Sequence, residues 1–184
     1  MQSIELVLIG VSLILATAVV KLVEGIYQAV ISEKSYWIPV VLMAGTLVYA
    51  VNFLWSFNND LDKAAQNYPN FVLSIMVSAV LFLRAHILVG TDPARIPDWR
   101  VHFENIARQY FIVAALLSVM SIFVLVEDGS SNGFDAASAP FLFGVVLQLV
   151  GATFQQVWVR GTVAVISLLL VIMAGYVLFT QGML

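Results

Sequence analysis

Residues 140–179 read PFLFGVVLQLVGATFQQVWVRGTVAVISLLLVIMAGYVLF, forty residues with a single charge, Arg160. Laid out as one helix, the stretch is about 60 Å long at 1.5 Å per residue, twice the roughly 30 Å of a bilayer's hydrocarbon. It must therefore turn. Arg160-Gly161 is its polar, flexible point, which predicts a fifth span at 140–158 and a sixth at 162–179.

Working outward, four more long apolar stretches stand between breakers, at about 4–31, 36–57, 68–89 and 104–126, the last entered through an interfacial turn from about residue 98. The chain reads as one domain over 1–184, an all-α polytopic membrane protein whose six transmembrane helices form a bundle with short loops. Composition agrees. Of 184 residues, 61% are apolar and 10% charged, against about 45–50% and 25% in soluble domains. A soluble globule of this size has too little interior to hide that much hydrocarbon.

Ser35, Asn67, Asp98 and Ser138 stand where N-caps are wanted, and Pro39, Pro69 and Pro140 fall in or near first turns, where a missing amide costs little. Trp37, Trp55, Trp99 and Trp158 lie near span ends as interface anchors. The first residues, Met1-Gln2-Ser3-Ile4-Glu5, lack a basic leader and cleavage site, so the first segment is expected to be a retained helix.

Basic residues set an orientation. Lys34, Arg84, Arg95, Arg100, Arg108 and Arg160 lie in or beside the odd-numbered loops, whereas the even ones hold only Lys63. The positive-inside rule then puts the odd loops in the cytoplasm and both termini on the non-cytoplasmic side of a cell or inner membrane. A shift of 103 residues lays Leu22-Val23-Glu24 on Leu125-Val126-Glu127, Asn52 on Gln155 and Trp55 on Trp158, a pattern compatible with two inverted halves.

Polar residues at membrane depth carry the functional expectation, because charge facing lipid is expensive. Lys21 and Glu24 share a face of the first span, about 10–15 Å from its inner end. Gln28 extends that stripe, and Gly10, Ala18 and Gly25 leave room for close helix contact. These residues read either as the lining of a pathway or as an ion pair that fixes packing. Asn52 near Trp55 suits a bridge between helices or a lining position. Gln148 and Gln155, seven apart, share a face expected to pack on the polar side of the first helix. Arg84 reads as a side chain snorkelling to the headgroups.

Other chemistries find little support. A net charge of −3 without a basic stripe argues against nucleic acid, and the absence of cysteine excludes thiolate chemistry. His86 and His102 lack metal-ligand spacing. Residues 128–133 imitate half a calcium loop, but the twelfth position is Ala139 where a glutamate is required. No nucleophile elbow, zinc motif, P-loop or dinucleotide fingerprint occurs, so no cofactor, metal or catalytic activity is expected. The leading expectation is a homo-oligomeric channel or transporter for a small ion or solute, lined by Lys21, Glu24, Gln28, Asn52 and Gln148. The alternatives are an accessory or scaffold subunit of a larger membrane complex, and a lipid- or quinone-binding membrane enzyme.

Overall fold

A computed structural model describes residues 3–59, 68–127 and 138–181. The described residues form helices α1 (Ser3–Ile31), α2 (Trp37–Asn59), α3 (Tyr68–Val89), α4 (Trp99–Glu127), α5 (Ala139–Thr153) and α6 (Val157–Gln181), with a short 3-10 turn at Pro93–Arg95. The fold is the expected all-α membrane bundle. Hydrocarbon offers backbone groups no partner, so apolar segments satisfy their amides and carbonyls within a helix. Five helices are long and apolar enough to cross a bilayer, and α5, at 15 residues, is shorter. Asn67, Lys63 and the 128–137 segment lie outside the described residues.

Helix neighbours trace a closed ring in the order α1, α3, α4, α5, α6, α2, with α2 also touching α3 across the middle. Lys34 Nζ stands 3.7 Å from Asp98, so residues 32–36 and 90–98 share one end of the bundle, here called the basic end. Register follows from the close approaches. Gly10 faces Ile75 and Gly25 faces Val89, so α1 and α3 run parallel. Trp37 packs on Gly161, Leu168 on Gly45 and Asn52 on Gly175, so α2 and α6 also run parallel. Gly144 meets Ser118 and Gly151 meets Phe111, which makes α5 antiparallel to α4.

The break between the last two helices corrects the expectation. It falls at residues 154–156, not at Arg160-Gly161, which both lie inside α6. Phe154 turns extended (φ −90°, ψ 126°) while its amide still reaches the Val150 carbonyl at 3.0 Å, and Gln155 and Gln156 are left exposed. Gly161 is needed where it is: a Cβ there would stand 2.9 Å from the Trp37 ring. The 103-residue shift thus lays Asn52, well inside α2, on a residue of this break.

Asp98 caps α4 as expected. Its Oδ1 accepts from the amides of Arg100 (3.0 Å) and Val101 (3.2 Å). The Val101 amide first, then the Arg100 amide and the Lys34 ammonium, hold the carboxyl below the usual carboxylate range. With the folded pKa below the unfolded one, which is about 3.9, Asp98 stabilises the fold above that pH. The contribution is lost as pH falls through the folded value. Asp98→Asn keeps the cap but removes the titration, so acid unfolding followed by circular dichroism should lose this part of its pH dependence. An unchanged acid limb would contradict it.

The interior is divided in two. Toward the basic end, Leu22, Leu42, Met43, Leu88, Trp99, Phe103 and Phe111 belong to one apolar core. Toward the far end, Val11, Leu15, Ala50, Phe57, Val77, Leu81, Leu117 and Met120 form a second. Between them, on α2 and α3, fall Thr46 and Arg84.

Candidate functional site: a buried arginine between two apolar cores

The buried face of α3 consists of Val77, Ser78, Leu81, Arg84, Ala85, Leu88 and Val89, a helical stripe of three- and four-residue steps. Arg84 lies on that stripe, three residues after Leu81 and four before Leu88, so helix geometry turns it inward. It is 6% exposed. The snorkelling expectation fails for a directional reason. Side chains lean toward their own helix's N-terminus, which for α3 is the end away from the nearer, basic surface.

Opposite it, α4 buries Phe103, Ala107, Tyr110, Ala114, Leu117 and Ser121, again in alternating steps of four and three. Tyr110 takes a core position, and its side chain meets the arginine. Arg84 Nε donates to Tyr110 Oη at 3.0 Å, Nη2 donates to the same oxygen, and the guanidinium carbon stands 5.0 Å from the ring centroid. Thr46 Oγ1 donates to the Leu42 carbonyl at 2.7 Å, so the longer 3.4 Å contact between Tyr110 Oη and Thr46 Oγ1 carries the phenol's proton. The chain of donation runs Arg84, Tyr110, Thr46, Leu42. Thr46 stands nine residues into α2, about 14 Å from its start. A second hydroxyl pair, Tyr49 with Ser121 at 2.6 Å, bridges the same two helices and ends on the Leu117 carbonyl.

Among the described residues no acid neutralises Arg84. The ion pairs among those residues are Lys34–Asp98, Arg95–Asp92 and Arg100–Glu104. A guanidinium removed from water with only a phenol for partner is an expensive group, tolerated in membrane proteins chiefly where it faces protein or a polar cavity.

A second arginine is also taken inside. Arg160, in the first turns of α6, is 6% exposed and its Nε has no partner. It lies within electrostatic range of Glu104 and Tyr36, but Glu104 Oε1 already accepts from Arg100 Nε at 2.9 Å. Burial pushes the Tyr36 hydroxyl up, partly opposed by Arg100.

The residues expected to line a pathway lie apart from one another. On α1, Lys21 and Gln28 are half-buried and Glu24 is exposed, on the flank that also presents Val20, Val23 and Tyr27. The Gly25–Val89 contact puts Glu24 level with the end of α3, seven residues before the end of α1 at Ile31. Asn52 bridges α2 to α6, its Nδ2 donating to the Val171 carbonyl at 2.9 Å. Gln148 Nε2 donates to Ser167 Oγ at 2.9 Å, and its Oε1 is buried without a partner. α5 therefore turns this glutamine to α6, and lies across the ring from the polar side of α1.

His102 bonds the Leu88 carbonyl at 3.1 Å and packs on the edge of Trp99, while His86 stacks on Phe82. Outside the ring, two apolar grooves of about 560 and 370 Å³ flank Trp158, the larger one walled also by Trp37. No known protein family, curated protein or solved structure matches the chain.

Proposed function

We propose that the protein moves a small ion or solute across the bilayer, with Arg84, Tyr110 and Thr46 as the selective element. The observation that carries the reading is the 6% exposure of Arg84 together with the lack, among the described residues, of any carboxylate paired with it. A group held only for packing would be better replaced by a hydrophobic side chain of similar volume. An uncompensated cation between α2, α3 and α4 is accounted for by work on a passing solute. Assembly as a homo-oligomer belongs to the same proposal, with the α1 flank around Lys21, Glu24 and Gln28 facing a neighbouring copy.

Flux into liposomes tests it, with chloride- and potassium-sensitive dyes enclosed in separate preparations. Wild-type protein should give flux above empty vesicles, and Arg84→Met should lower it at least tenfold while Glu24→Gln and Lys21→Met leave most of it. Folded wild-type protein without flux, or flux that follows Glu24 and Lys21 instead of Arg84, would overturn this assignment. A second reading, a lipid or quinone site, draws on the groove between Trp37 and Trp158. It would be favoured by a ligand that copurifies and is lost on Trp158→Ala.

A further inference from the structure

The selective element is incomplete as it stands, and what is missing has a definite charge. Two of the three guanidinium nitrogens of Arg84 are committed to one phenol oxygen. Nη1 has no acceptor among the described residues. Nor is it one of the fully covered atoms without a partner, which are Gln148 Oε1 and Arg160 Nε, so part of its surface is left open by the protein. The proton of Tyr110 is spent on a 3.4 Å contact with Thr46, long for a hydroxyl pair and cheap to give up.

We infer that the solute of this pathway is a small monovalent anion, seated against Arg84 Nη1 and the Tyr110 hydroxyl. The inference rests on the pathway reading for transport, but the binding step stands by itself. On arrival of the anion, Tyr110 turns its O–H from Thr46 to the ligand, and Thr46 keeps its own bond to the Leu42 carbonyl. The anion then has charge-assisted donors from the guanidinium and one from the phenol, and the buried site becomes neutral. Charge arithmetic gives the selectivity. One guanidinium cancels one negative charge, so a divalent ion would leave an uncompensated charge between two apolar cores, at a high desolvation cost.

A second cation lies inside the bundle toward the basic end. At this end, the carboxylates of Asp98 and Glu104 are engaged by Lys34 and Arg100. Arg160, buried and with Nε unmatched, lies near Glu104, about two helical turns along α4 from Tyr110.

Line broadening of 35Cl in chloride solutions of the full-length protein in nanodiscs measures the binding directly. Wild type should broaden the line, with nitrate competing at least tenfold better than sulfate. Arg84→Met should abolish the broadening, Arg84→Lys should retain part of it, and Tyr110→Phe should weaken it severalfold. Arg95→Gln, a change at an exposed arginine, should leave it unaltered. Equal broadening in Arg84→Met, or sulfate competing as well as nitrate, would overturn the assignment. Chloride binding without chloride flux leaves this site intact and defeats transport. Potassium flux without chloride binding does the reverse.

Discussion

Arg84→Met is expected to fold at least as stably as the wild type, whereas Tyr110→Phe, the smaller chemical change, is expected to lose about 2 kcal/mol. The asymmetry follows from what each substitution leaves behind. Methionine removes the charge together with its desolvation cost and keeps a flexible apolar stem between Leu81 and Leu88. Exchanging a buried ionic group for a hydrophobic one is often neutral or stabilising. Phenylalanine removes the one oxygen that accepts from both Nε and Nη2. It strands the cation, and an unmet buried hydrogen bond to a charged group costs about 1.5–3 kcal/mol. The ring face 5.0 Å from the guanidinium survives in that variant and softens the loss. Unfolding by graded SDS in mixed micelles ranks the two. If Arg84→Met proves the less stable, the arginine is a packing element and the functional assignment loses its foundation. A stable variant that has lost activity is the signature of a group kept for work.

Gly25→Ala is expected to cost about 1–3 kcal/mol, the range for overpacking a tight contact, whereas Gly10→Ala should be neutral or slightly favourable. A Cβ on Gly25 would stand 2.6 Å from Val89 Cγ2 and 2.8 Å from Met43 Sδ. Methionine can swing aside, but the β-branched valine has few rotamers to choose from. Val89 is also wholly buried at the end of α3. α1 therefore has to move away from α3, and the contacts that hold Leu22 and Ala29 in the core are strained with it. At Gly10 the nearest atom, Ile75 Cδ1, is 3.9 Å away, and the better helix propensity of alanine is felt without a clash. The same unfolding assay compares the two, and equal costs would mean that α1 and α3 do not meet in the parallel register described.

Much of the architecture was legible because lipid simplifies the code. Uninterrupted apolar length marks helices, and the predicted and observed limits of α3 coincide at 68–89. Asp98 was readable as a cap from its place before Trp99. Gly25 was readable as a site of close contact, although its partners were not. Arg84 was misread because its distance from the span end was weighed and its phase was not. Leu81, Arg84 and Leu88 make an inward stripe in the bare sequence, and the same three- and four-residue steps pick out Tyr110. The bend at 154–156 was hidden for a different reason. Arg160-Gly161 has the composition of a turn, but the glycine is required by the ring of Trp37, more than a hundred residues earlier, and the arginine is drawn inside the bundle. Contacts of that range leave no local trace. For the same reason no spacing placed Gln148 on α6, since nothing in its own helix says which neighbour its face will meet.

The brevity of α5 reaches beyond the protein itself. Fifteen residues give about 22 Å of apolar height, several ångströms short of an ordinary hydrocarbon slab, and Phe143, Val146 and Leu149 turn outward along it. Acyl chains beside this flank must shorten or tilt to match, so the bilayer is pinched on one side of the molecule only. At fractions of a kcal/mol for each ångström of mismatch, such a lopsided collar favours thin membranes and gathers short-chain lipids at α5.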